Sequence, residues 1–244
     1  MDLESFNTSR ESLVPLLALN NKSNKNIIIF PTDKEAIEFS TDFSNLNKNI
    51  FHLPSWDTLS YDSFVPSFDI QGKRLEIAHL LLTNNNYNIA TSIKAISQRI
   101  YFEELEICKI ELNEEIDFDS LIENLIHLKY QRKDRVESKG SFAIRGGQLD
   151  VYPINYDLPL RVIFDGDLVN EIKTFDTISQ RSVSEKKDIL IVPATELFQI
   201  KHSDILNLSS DKKEILDDYE LFQYSQNLDL EKCLLDLTSN ASLH

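Results

Sequence analysis

The sequence predicts an α/β fold in which a parallel α/β domain is interrupted by a small antiparallel α+β domain. Three observations predict it. Short apolar runs alternate with helical patterns before Ile107. The hydrophobic period then changes to two over a series of consecutive segments. An apolar run of parallel type returns at 189–196. With 244 residues, 41% hydrophobic and 27% charged, the chain has the composition of a soluble protein with one or two domains and a sizeable core.

The elements follow in order. NIIIF (26–30) is short, apolar and β-branched, as a buried parallel strand requires. Thr32 with Glu35 three residues later reads as a capping box, after which Ala36, Phe39, Phe43 and Leu46 share one helical face. NIFHL (49–53) is a second strand, DIQGKRLEIAHLLLT (69–83) a helix with Ile70, Ile77 and Leu81 inward, and NIATSI (88–93) a third strand; KAISQRI leads into a helix or turn. Between the second strand and the helix, LPSWDTLSYDSFVPSFD (53–69) holds the only tryptophan. It reads either as a long loop packing its aromatics onto the sheet or as a binding loop at the carboxyl ends of the strands.

CKIEL (108–112) is a strand, and Ser120 with Glu123 caps a helix that puts Leu121, Leu125 and Leu128 on one face. FAIR, QLDVYP, LRVIF and LVNEIKTF then alternate as an antiparallel meander, with Asp165-Gly166 a hairpin signal. ILIVPATE (189–196) reads as a parallel-type strand, and 197–244 as polar helices with apolar positions at Ile215, Tyr219, Leu221, Leu234 and Leu237. The expected divisions are 1–108, the first part of the α/β domain; 109–180, the α+β domain; and 181–244, an incomplete return to the α/β domain.

The motifs of several function classes are missing. Only five glycines occur, and none sits in a Walker loop or a GxGxxG turn, so no backbone cradle for phosphates is legible and no ATP binding is expected. The five histidines form no HExxH pair, and there is no GxSxG elbow, so no enzyme activity is expected. Cys108 and Cys233 have no CxxC partner, which points to reduced thiols, a cytoplasmic location and no structural zinc. The acidic, polar opening MDLESFNTSRESLV is not a signal peptide, and no apolar run approaches the roughly 20 residues of a membrane span. A net charge of −15 sets most of the surface against nucleic acid.

One segment departs from that balance. Residues 129–145, KYQRKDRVESKGSFAIR, hold six basic residues against two acidic ones, a net +4 that leaves −19 for the rest. Such a run is often only a solvated face. Here, three of the five glycines (Gly140, Gly146 and Gly147) gather around Arg145. If Phe142 and Ile144 point to the core, Arg145 points away from it, and the glycines can bend the strand there. Arg145 and Arg132 would then present a cationic surface of the kind that anchors interfaces.

The same residues resemble a known family. FAIRGGQLDVYP, followed by PLRVIFDGD and FDTISQR, is similar to the segment shared by the transcription-repair coupling factor Mfd and the excision-repair protein UvrB. The shared pattern falls on Phe142, Arg145, Gly146, Asp150, Tyr152, Pro153, Arg161, Phe164, Phe175, Asp176 and Arg181. LPSWDTLSYDSFVPSFDIQGKRL resembles Mfd in particular, with Gly-Lys-Arg-Leu where that family has S-x-R-L or a close variant. UvrB keeps a P-loop in its first domain and Mfd has lost it, so the glycine count favours Mfd. The resemblance covers about 20–200.

It implies a degenerate helicase-like α/β domain interrupted by a small domain that binds UvrA. Tyr130-Gln131-Arg132-Lys133-Asp134 and Phe142-Ala143-Ile144-Arg145-Gly146 match two arginine-bearing stretches of the UvrA-binding surface of UvrB; the first arginine of the second stretch is Ala143 here. Arg132, Arg145, Phe142 and Asp150 are accordingly the expected partner-binding residues, with UvrA the partner. The family's ATP-driven motor and its contacts with RNA polymerase and DNA lie in regions that match nothing here. The implied role is a non-enzymatic, UvrA-recruiting N-terminal module in transcription-coupled nucleotide excision repair. The alternative is direct nucleic-acid binding through the 129–145 patch.

Overall fold

The computed structural model describes residues 25–45, 49–58, 64–84, 86–98 and 105–196. The chain divides into two compact units. The expected helices after 197 lie outside the described residues, as does part of the tryptophan loop, 59–63.

The first unit is built on three parallel strands, β1 (Lys25–Phe30), β2 (Phe51–Leu53) and β3 (Tyr87–Ser92), in the order β1-β3-β2. Helix α1 (Asp33–Ser44) begins where the capping box predicts, with Thr32 Oγ1 accepting from the Glu35 amide at 3.3 Å. Its inward face packs Ala36, Phe39 and Phe43 onto Phe30 and Ala90, and the Phe30 and Phe39 rings lie 5.0 Å apart. At the carboxyl ends of the strands, the Asp33 carboxylate accepts from the Ser55 hydroxyl and, at 3.3 Å, from the Ser55 amide. Burial raises the Asp33 pKa, but hydrogen bonds from Ser55 and Ser92 and the nearby His52 outweigh it and hold the carboxyl below its ordinary value. The start of the tryptophan loop packs down. Trp56 is buried, its carbonyl accepts from Lys94 Nζ at 2.9 Å, and its amide donates to Gln98 Oε1 at 2.8 Å. Lys94 belongs to the short helix α3 (Ile93–Ser97).

Helix α2 (Phe68–Thr83) starts in the second unit and ends in the first. Gly72 lies in its first half. A Cβ there would meet the Ile154 carbonyl oxygen at 2.4 Å, so only glycine lets the helix approach that backbone. This accounts for the Gly-Lys-Arg-Leu variant noted above. Arg74, two residues on, is fully buried and bonds Glu196 at 2.7 Å.

Among the described residues, the rest of the second unit contains two sheets and one helix. β4 (Cys108–Glu111) pairs antiparallel with β11 (Asp188–Ile191). The run at 189–196 is therefore not the parallel strand its composition suggests, since continuous apolar character reports burial on both sides and not strand direction. The second sheet has the order β10-β9-β8-β7-β6-β5. Its members are β5 (Gln131–Arg132), β6 (Ser141–Arg145), β7 (Gln148–Tyr152), β8 (Leu160–Asp165), β9 (Leu168–Phe175) and β10 (Ser182–Glu185). All neighbours are antiparallel except β5 and β6. Because β10 and β11 both pair with strands of this unit, it runs past the expected boundary at 180 to at least 196.

Helix α4 (Phe118–His127) is capped by Asp117, which accepts from the Ser120 amide at 2.7 Å, three residues earlier than the expected Ser120 cap. Its Leu121 and Leu125, with Leu128, cover a core formed by Phe142, Leu149, Val151, Leu160 and Val162 from one face of the sheet.

Candidate partner-binding surface

The surface is built outward from that core. Tyr130 is buried, and its hydroxyl donates to the Val192 carbonyl at 2.8 Å, which fixes the chain at the start of β5. The Gln131 amide then donates to the Gly140 carbonyl at 2.9 Å and the Lys133 amide to the Phe142 carbonyl at 2.8 Å, so a two-residue strand is held along the sheet edge. Val136 tucks in beyond it, leaving 132–135 exposed. Lys139 is neutralised locally by Asp69.

Strand β6 alternates as expected. Phe142 is fully buried and Ile144 packs on the same core, while Arg145, at the end of the strand, is exposed. Arg145 pairs with Gln148 across a two-residue hairpin, Gly146-Gly147. Gly146 has φ +60°, which fits the hairpin turn whose first central residue is glycine. The Arg145 guanidinium donates to the Asp134 carbonyl at 3.2 Å, two residues after Arg132.

Arg132 is also exposed, but its register partner is Phe142. Parallel partners share a side of the sheet, so Arg132 and Arg145 leave the edge on opposite sides. What joins them is the backbone of 132–134, not a common face. Nor is the face that carries Arg145 open along its length, because Ala143 is buried with Val136, Phe175 and Tyr152.

Two of the expected partner-binding residues need correction. Phe142 is fully buried and supports the strand from below; alternation places it in the core. Asp150 is buried too, because it pairs with Arg161 directly across the β7–β8 ladder. The pair is bidentate, with Nε to Oδ1 at 2.7 Å and Nη2 to Oδ2 at 2.8 Å, and side-chain exposures of 15% and 7% for Arg161 and Asp150. Hydrogen bonding to Asp150 raises the Arg161 pKa above its ordinary value. The guanidinium also stacks 4.4 Å from the Phe175 ring centroid and reaches Gln180, tying down the turn at 176–181. Neither Phe142 nor Asp150 offers its side chain to a partner.

Sequence reasoning missed Arg135, whose guanidinium donates to the Thr177 carbonyl at 2.8 Å and joins the basic edge to that turn. Its signal was only membership of the basic run. Burial, with the Glu114 charge, pushes the Cys108 thiol up to about 11, which disfavours the thiolate. No group of His, Cys, Asp or Glu among the described residues could hold a metal ion, and no helix among them is long and apolar enough to cross a membrane.

Comparison with known proteins gives this geometry a context. Residues 108–197 match the model of the UvrB interaction domain. The transcription-repair-coupling factor of Escherichia coli (strain K12) is 27% identical over 202 residues, 78% of this chain and 18% of the relative. That of Myxococcus xanthus is 31% identical over 158 residues, 63% of this chain and 13% of the relative. The UvrABC system protein B of Thermosipho africanus is 22% identical over 215 residues, 81% of this chain and 32% of the relative. The chain thus spans less than a fifth of these coupling factors and about a third of that UvrB. Its residues 108–197 are similar to the UvrB interaction domain, and most of its length is similar to the N-terminal region of transcription-repair-coupling factors.

Proposed function

We propose that this chain is a non-enzymatic recruiting module of transcription-coupled nucleotide excision repair, and that it binds UvrA through the edge of its six-stranded sheet. The observation that carries the reading is Arg145. It lies within the 108–197 match, is exposed at the end of β6, and its guanidinium rests on the Asp134 carbonyl. A guanidinium placed in this way loses little freedom on binding. Its basic surroundings, in a chain of net −15, favour and orient an acidic partner surface.

Arg145→Ala is expected to weaken UvrA binding about thirtyfold, the effect of truncating an interface anchor, with the fold unchanged by circular dichroism. A folded variant that binds UvrA like the parent counts against the reading. If the variant loses only affinity for DNA in a gel shift at physiological salt, the surface serves nucleic acid instead.

The reading includes no nucleotide. Asp33, at the carboxyl ends of the parallel strands, puts a carboxylate where sheets of this type bind ligands, and it would repel phosphate. No saturable ATP binding at micromolar affinity is expected by calorimetry.

A further inference from the structure

We infer that Ile178 is an apolar anchor of the partner interface, inserting into an apolar socket rimmed by carboxylates. The inference rests on the reading of UvrA as partner. At 87%, Ile178 is the most exposed large apolar side chain among the described residues. A single exposed isoleucine is ordinary on a protein surface. Two features set this one apart.

The first is rigidity. Ile178 is presented by a turn whose polar groups are tied down. The Asp176 carboxylate accepts from the Ser179 amide at 2.7 Å, the Gln180 amide donates to the Asp176 carbonyl at 2.8 Å, and Gln180 Nε2 donates to the Thr177 carbonyl at 2.7 Å. Arg135 holds the Thr177 carbonyl from outside, and Arg161 holds Gln180. Gln180 itself sits at φ +59°, a left-handed conformation that a side-chain-bearing residue keeps only where its surroundings enforce it. A turn fixed in this way presents its apolar tip with little ordering left to lose on binding.

The second is its neighbourhood. Arg135 reaches the Thr177 carbonyl, and Arg145 reaches the carbonyl of the adjacent Asp134. One exposed backbone segment therefore connects Ile178 to the guanidinium already assigned to the interface. With Arg135 and Arg181 also exposed, the apolar tip stands at the border of a basic patch. An apolar centre with a charged rim is the anatomy of a protein interface. The complementary occupant is an apolar pocket edged with Asp and Glu. Nucleic acid supplies the negative charge but no such pocket.

The test is titration of UvrA with the 244-residue parent, Ile178→Ser and Ile178→Asp, each checked for folding by circular dichroism. Ile178→Ser should weaken binding about tenfold and Ile178→Asp about a hundredfold, through lost burial and then an added repulsive charge. Both variants staying within twofold of a parent that binds overturns the anchor and leaves the recruiting function standing. Weakening by Ile178→Asp alone also overturns it, since charge and not apolar insertion would then account for the loss. A parent that fails to bind UvrA overturns the function, and the anchor with it.

Discussion

The two faces of the six-stranded sheet are held by different physics. One is a continuous apolar layer beneath α4, with Phe142, Leu149, Val151, Leu160 and Val162 in contact. The other has an ion pair, Asp150–Arg161, with the guanidinium stacked on Phe175, beside a small cluster of Val136, Ala143, Phe175 and Tyr152. A polar sheet face is therefore not necessarily a solvated one. Its centre is closed by side chains that satisfy one another. Only its margins, Arg145 and the turn at Ile178, remain exposed.

The apolar face gives the largest expected effect. Phe142→Ala removes a ring from a packed core and should cost about 4 kcal/mol, read from urea unfolding followed by circular dichroism. A cost under about 1 kcal/mol would mean that Phe142 does not lie in a close-packed core. Asp150→Ala tests the other side. It strands the Arg161 guanidinium in a largely buried position and should cost about 3 kcal/mol in the same measurement. If Asp150→Ala instead left stability intact and abolished partner binding, Asp150 would be facing outward and the central ion pair would not exist.

These two residues also show where the sequence was legible. Period-two alternation separated the faces of β6 correctly, and the glycine signals located the hairpins, at 146–147 and, one residue past the Asp165-Gly166 signal, at 166–167. The α1 cap, the meander and the α4 stripe were readable because each depends on local spacing. What was not readable depends on partners remote in sequence. Asp150 is a cross-strand neighbour of Arg161, and only the register reveals that both are buried. Strand β11 takes its direction from β4, nearly eighty residues earlier, and no local signal encodes that. The close approach that requires Gly72 is set by Ile154, in another element. Arg145 was found because alternation and the glycine cluster are both local. Ile178 was not found, because exposure of an apolar residue leaves no mark in the sequence.

A smaller effect is expected at the 146–147 turn. Gly146 has φ +60°, and an added Cβ would meet nothing within 4 Å. Gly146→Ala therefore tests backbone conformation alone and should cost about 1 kcal/mol, with no core contribution. A cost near that of Phe142→Ala would mean that the hairpin tip is packed and not marginal.

The smallest expected effect on stability belongs to the residue given the largest role in binding. Arg145→Ala should change unfolding free energy by less than about 0.5 kcal/mol. Its side chain is exposed, and its hydrogen bond to the Asp134 carbonyl lies at the surface where water can replace it. The strand beneath it is held by Phe142 and Ile144 on the other side, so truncation leaves the core untouched. Set against the thirtyfold loss expected in UvrA binding, this separates an interface residue from a structural one. Phe142→Ala and Asp150→Ala lower binding only by depleting the folded state, so their losses should recover at temperatures or osmolyte concentrations that restore folding. The Arg145→Ala loss should not recover. If it did, or if its stability cost approached that of Asp150→Ala, Arg145 would belong to the architecture of the polar face and not to its margin.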